Sequence, residues 1–114
     1  MITDVFCKII NRELPSKEIY RDEDFIVVED INPQAPVHLL VIPIKHYEKL
    51  SDFSDSDAQL LGKALLLADK IATDKGLDKG YRLVLNEGEH GGKLVPHLHF
   101  HILGGKNLGH KVTQ

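Results

Sequence analysis

In the stretch Pro96-His97-Leu98-His99-Phe100-His101-Ile102-Leu103-Gly104-Gly105, three histidines alternate with Leu98, Phe100 and Ile102. Alternation has a period of two, so the run reads as a β-strand with one apolar face and one imidazole face. Side chains two apart on a strand stand roughly 7 Å from each other, so the three rings can span a substrate-sized group. Histidine is the only side chain that titrates unperturbed near neutral pH, and a row of it is an expensive way to solvate a strand. The row reads as a site.

The rest of the chain bounds what that site serves. A length of 114 residues with 42% apolar content suits one domain, residues 1–114, with a single core. The net charge of −3, with Lys and Arg spread along the chain, argues against a protein that grips duplex nucleic acid through its phosphates. A small anionic ligand stays compatible with it. No apolar run approaches the length of a membrane span and no secretory leader is recognisable, so the expected location is cytoplasmic. The lone cysteine, Cys7, has no internal disulfide partner, fits a reducing compartment, and reads by itself as a small buried apolar side chain.

Periodicity supplies the element order. Asp4 to Asn11 places Val5, Phe6, Ile9 and Ile10 at helical spacing, with Thr3 or Asp4 as cap and Leu14-Pro15 beyond the end. Lys17–Arg21 and Phe25–Asp30 read as strands of a hairpin around an acidic turn, and His38–Pro43 as a central strand after the loop 32–36. A long helix is predicted from Ser54 or Ser56 to Lys75, stopped at Gly76. Its apolar stripe comprises Leu60, Leu61, Ala64, Leu65, Leu67, Ala68, Ile71 and Ala72, with Leu66 outside it. A strand at Tyr81–Asn86, a glycine-rich loop at Glu87–Lys93 and the histidine strand complete the order. These elements predict an α+β domain with a mainly antiparallel sheet of about five strands. One long helix covers one face only, so the other is expected to be covered by a second copy in a homodimer.

Three chemistries fit the histidine row. His-x-His on a strand presents two imidazoles to a metal, with His38, His46, Cys7 and Asp4 as further ligands. Alternatively, one imidazole attacks phosphorus while its neighbours move protons. The third reading is structural histidines at an interface. The loop Asn86-Glu87-Gly88-Glu89-His90-Gly91-Gly92-Lys93 favours phosphate, because its glycines let backbone N–H groups approach an anion. Asp30, at the end of a strand, offers a carboxylate to the paired hydroxyls of a ribose. His90 and His110, flanked by glycine, are expected in solvent.

The run His97 to Leu103 resembles the signature of the histidine-triad (HIT) family of nucleotide hydrolases and transferases. The segments 6–10, 30–38, 41–46, 80–88, 91–92 and 103–105 are similar in order and spacing to its Hint branch. The transferase branch replaces the third histidine with glutamine, whereas His101 is intact, so hydrolysis is the expectation. The resemblance implies a five-stranded antiparallel sheet with a short N-terminal and a long helix, paired into a dimer with a ten-stranded sheet. It implies hydrolysis of purine nucleoside 5'-phosphoramidates, with dinucleoside polyphosphate hydrolysis or a nucleotide-binding scaffold as alternatives. By the same resemblance His99 is the nucleophile, supported by His38, His97 and His101. Asn86 and the Gly92 backbone would hold phosphate, Asp30 the ribose, and Val5, Phe6, Ile9, Val28, Ile31 and Leu40 the purine, while the charge of Lys93, outside the family pattern, would attract phosphate. No cofactor is required in that scheme, since neutral imidazole both attacks phosphorus and leaves it.

Two features depart from the family pattern. Lys93, Leu94 and Pro96 stand where the family commonly has glutamine, then often serine or glutamate, and tyrosine, and Leu94 has no side-chain hydrogen bond for a leaving group. Some relatives also hold a structural zinc through a CxxC, a later histidine and the first triad histidine; the corresponding set is Asp4, Cys7, His46 and His97, with one thiolate replaced.

Overall fold

The computed structural model describes residues 4–113. A short helix α1 (Val5–Ile10) precedes the hairpin of β1 (Glu18–Arg21) and β2 (Phe25–Glu29), and β3 (Val37–Pro43) follows. Two 3-10 turns, Leu50–Asp52 and Asp55–Asp57, lead into the long helix α2 (Ala58–Asp74), and β4 (Arg82–Leu85) and β5 (Phe100–Gly104) end the regular structure. The five strands form one antiparallel sheet in the order β1-β2-β3-β5-β4. Among the described residues no helix is long and apolar enough to cross a membrane.

Local chemistry explains the joins. Asp4 caps α1 by accepting the Cys7 backbone N–H at 2.8 Å; Thr3, the other expected cap, lies outside the described residues. Asp22 shapes the hairpin turn, its Oδ1 accepting from the backbones of Asp24 and Phe25 at 2.7 Å each. Ser54 and Asp57 cap each other across a 3-10 turn, so the serine signal marks that turn and the α-helix starts only at Ala58. Gly76 follows with φ +76°, the left-handed conformation that ends a helix cheaply only at glycine.

The sheet buries both faces, each with its own cover. Val27, Leu39, Val41, Phe100 and Ile102 pack on α2 through Ala64, Leu67, Ala68, Ile71 and Ala72. The stripe is narrower than expected, because Leu65 is 48% exposed and stands with Leu66 in solvent. On the opposite face, Ile26, Val28, Leu40 and Ile42 pack against Phe6, Ile9 and Ile10 of α1 and against Val95. The chain therefore covers its own second face, and the argument that this face needs another copy does not hold.

The histidine strand starts later than alternation predicts. Ladder pairing begins at Phe100, opposite Val41 on β3 and Leu85 on β4. Residues 97–99 keep the alternation without the ladder, since Leu98 belongs to the α2 core while His97 and His99 are buried opposite it. They are anchored instead to the chain leaving β3, the Leu98 N–H donating to Tyr47 O at 2.6 Å.

Candidate active site

β3 and β5 lie side by side with Leu40 opposite His101 and His38 opposite Leu103. The pleat sends His38, Leu40 and His101 to one face, diagonally adjacent, and continues His99 and His97 along it. Phe6 on α1 meets this row edge-on, its ring centroid 4.8 Å from that of His99 and 5.9 Å from that of His97. The faces of these rings are thus apolar, and their nitrogens are restricted to a few polar contacts.

Those contacts determine which nitrogen carries each proton. His99 Nδ1 lies 2.7 Å from the His97 carbonyl oxygen, which can only accept, so Nδ1 bears the hydrogen and Nε2 keeps a lone pair. His38 Nδ1 takes the Gln34 backbone N–H at 3.0 Å, so its own hydrogen is on Nε2. His38 Nε2 donates in turn to His101 Nδ1 at 2.9 Å, with Asp30 Oδ2 3.4 Å away as a second acceptor. His101 then carries its hydrogen on Nε2. Two adjacent rings, 5.0 Å apart between centroids, consequently present opposite functions, a bare nitrogen on His99 and an N–H on His101.

Burial keeps all of these rings neutral. It pushes the pKa of His99 below the ordinary histidine value, and the Lys93 and His97 charges add to the shift. His101 is pushed down to about 4 by burial first and by His99 and His38 next, with Asp30 opposing. His38 is lowered chiefly by burial, again opposed by Asp30. A neutral His99 is the nucleophilic form.

The bare nitrogen and the N–H line a cavity of about 390 Å³. One wall is Val5, Phe6 and Ile9 of α1; Val28 and Leu40 form the floor, and Asp30 and Ile31 stand at the end of β2. Asn86, Gly92 and Lys93 close it from the glycine-rich loop. Asn86 Nδ2 donates to Gly91 O at 2.6 Å and ties the loop into a ring. Gly91 is required there, since a Cβ would stand 2.2 Å from the Glu87 carbonyl oxygen. Lys93 is nearly buried, but its ammonium donates to Glu48 O and lies 3.8 Å from Glu87, so it ties the loop to the chain after β3 as well as lining the cavity.

Of the sequence-predicted residues, twelve line this cavity, and His38 and His97 do not. His38 acts from behind His101, and His97 belongs to a second cluster. Gln34, which sets the His38 tautomer, was not foreseen: a backbone N–H carries no side-chain signal. Leu94 and Val95 also line the cavity, Leu94 being 93% exposed at its mouth. His90 and His110 are exposed, as expected.

The second cluster joins Asp4, Cys7, His46 and His97, whose ligand-type atoms all lie within 4.8 Å of one another. His97 donates Nε2–H to Pro43 O at 3.0 Å, so its Nδ1 carries a lone pair, 3.3 Å from Asp4 Oδ2 and 3.7 Å from Cys7 Sγ. Asp4 Oδ2 is buried without a hydrogen-bond partner. A carboxylate oxygen and an imidazole lone pair facing each other repel unless a cation or proton lies between them. The donor set, two nitrogens, one sulfur and one oxygen, suits zinc, and the Pro43 contact is the outer-shell partner that orients a ligating histidine. Zinc there would supply a structural crosslink among α1, the chain after β3 and the approach to β5.

Comparison with known proteins places this geometry. The family model of the HIT domain matches residues 11–108. A HIT-like protein of Chlamydia muridarum is 47% identical over 108 residues, 95% of this chain and 86% of that protein. A HIT family hydrolase from Clostridium thermocellum has the same fold with a TM-score of 0.94 at 47% identity, covering 99% of both chains. A zinc-bound histidine triad family protein from Mycobacterium smegmatis aligns with a TM-score of 0.79 at 29% identity, over 91% of this chain and 76% of that one.

Proposed function

The chain belongs to the HIT family, whose solved relatives include hydrolases, and from that premise we propose that it cleaves purine nucleoside 5'-phosphoramidates into a nucleoside monophosphate and an amine. The observation that carries the reading is the proton arrangement at the cavity: His99 Nε2 with a free lone pair beside a His101 Nε2–H.

His99 Nε2 attacks the α-phosphorus and the bond from phosphorus to the amine nitrogen breaks. The amine nitrogen takes a proton from solvent as the bond breaks, so the amine leaves neutral, while His101 keeps its Nε2–H and donates it as a hydrogen bond to a phosphoryl oxygen. The His97 carbonyl, still accepting from Nδ1–H, supports the positive charge that His99 acquires on bonding phosphorus. Water then attacks phosphorus from the side the amine vacated, returns its proton to solvent and releases His99. His38 holds His101 in the tautomer that each step needs, with Gln34 holding His38. Asp30 would accept from the ribose hydroxyls, and the apolar wall of Val5, Phe6 and Ile9 takes the base. The reaction uses side chains and water alone.

The reading includes a homodimer. A continuous ten-stranded sheet needs a free edge, and β4, with Leu83, Val84 and Leu85, is the more apolar of the two edge strands. Sedimentation of the purified protein at twice the monomer mass is the expected result.

The chemistry is tested by quenching a reaction with an adenosine phosphoramidate and searching peptides for nucleotidylated His99. Its presence in the wild type and absence in His99→Ala, together with lost turnover, is expected. Wild-type turnover by His99→Ala would reject the assignment. Offering diadenosine polyphosphate to the same preparation separates the alternative substrate class.

A further inference from the structure

The zinc-type cluster and the nucleotide cavity share a helix. α1 has only six residues, too few to be stable alone, and it is held by Phe6, Ile9 and Ile10 on the sheet and by Arg21 Nη2 donating to Ile10 O at 3.2 Å. Its first turn carries Asp4 and Cys7 into the cluster, while Val5, Phe6 and Ile9, interleaved with them, line the cavity. Asp4 divides its two oxygens between these tasks, Oδ1 capping the helix and Oδ2 facing the cluster.

We propose that Asp4, Cys7, His46 and His97 form a metal-operated latch: a zinc-type ion held by them pins α1 against the cavity and thereby tightens nucleotide binding, without touching the nucleotide. The inference rests on the nucleotide reading above. Metal-free, Asp4 Oδ2 lies 3.3 Å from His97 Nδ1 and 3.4 Å from His46 Nδ1 without a hydrogen bond to either, so this end of α1 is not tied to the segment before β5 through Asp4 Oδ2. On binding, Cys7 releases its thiol proton to water and the same atoms become attractive partners of one cation. Phe6, adjacent to Cys7 and edge-on to both His97 and His99, transmits the position of the turn to the wall of the cavity. With one thiolate instead of two, Asp4 keeps the helix cap and the ligand in one side chain, so metal occupancy and the geometry of the first turn change together.

Linkage makes the idea measurable apart from catalysis. If zinc tightens AMP binding, AMP tightens zinc binding by the same factor, expected to be about tenfold. Purified protein stripped by a chelator and reloaded with zinc is titrated with AMP by calorimetry; zinc affinity is measured by competition with a chromophoric chelator, with and without AMP. One zinc per chain and equal reciprocal factors are expected. His46→Ala, which removes a half-exposed ring, should bind AMP like the stripped wild type whether or not zinc is added. Asp4→Asn, which can still cap α1 through its side-chain oxygen, should lose zinc affinity while circular dichroism reports an intact fold. Equal AMP affinity in stripped and loaded protein, or no zinc bound, overturns the latch and leaves the nucleotide reading standing. A zinc-loaded wild type that fails to bind AMP overturns both.

Discussion

The two faces of the sheet carry residues from the same strands and solve opposite problems. Towards α2, Leu39, Val41, Phe100 and Ile102 meet aliphatic side chains, and stability comes from area removed from water. Towards α1, the same strands present His38, Leu40 and His101, and the approach to β5 adds His97 and His99. A buried imidazole contributes nothing until its nitrogens are partnered. Each buried nitrogen pairing fixes a tautomer, so the cost of burial and the assignment of chemical roles are resolved by the same contacts. The α2 face tolerates any close-packing set of apolar groups; the α1 face tolerates one arrangement of protons.

The contrast is broken most sharply at position 99. His99→Ala should lower kcat/KM on an adenosine phosphoramidate by on the order of 10⁴-fold, with a melting temperature near that of the wild type. A residue of the other face should behave oppositely: Ile102→Ala, in the α2 core, should cost about 3 kcal/mol of stability in denaturant unfolding, with kcat per folded molecule preserved. If Ile102→Ala instead abolished turnover in folded protein, the separation of the faces would be wrong. His38→Ala should lower kcat by about thirtyfold with little change in KM, because it frees His101 to adopt the other tautomer.

Acid should also distinguish the faces. His101 binds a proton at pH about 4 when folded and at the ordinary value of 6.5 when unfolded, so the unfolded state takes up protons first as pH falls. Its neutral form is therefore fully compatible with the fold above pH 6.5, and stability declines from there towards pH 4, by roughly 3 kcal/mol in all. Thermal melts across that window should show the loss, and His101→Leu should remove its share, leaving the smaller acid loss due to His38, His97 and His99, which burial also lowers. The smallest effect is expected at the mouth: Lys93→Gln with Leu94→Ser should change turnover or KM by only about threefold, by offering the leaving group a hydrogen bond. Unchanged constants would show that these departures from the family pattern carry no catalytic weight.

The legibility of the molecule in its sequence follows the same division. Period-two alternation exposed the face assignment of Leu98, Phe100 and Ile102 because burial acts on every second residue. The stripe on α2 was legible for Ala64, Ala68, Ile71 and Ala72, and misleading at Leu65, because apolar character alone does not say how wide a contact one sheet makes. Ladder pairing from Phe100 rather than His97 depended on where β3 ends at Pro43, a tertiary fact. In the site, residue types pointed to Asp30, Asn86 and the histidines, whereas their division of labour depended on partners without side-chain signatures: the Gln34 N–H and the carbonyls of His97 and Pro43.

His97 serves His99 through its main chain and the Asp4 cluster through its ring. An alanine scan would therefore misrepresent this position. Truncating the ring leaves the carbonyl that orients the nucleophile untouched, so a mild kinetic phenotype at 97 would conceal a contribution that only backbone chemistry, such as an amide-to-ester exchange, can expose. The atom that matters to His99 is present in every possible substitution at 97, whatever becomes of the buried ring.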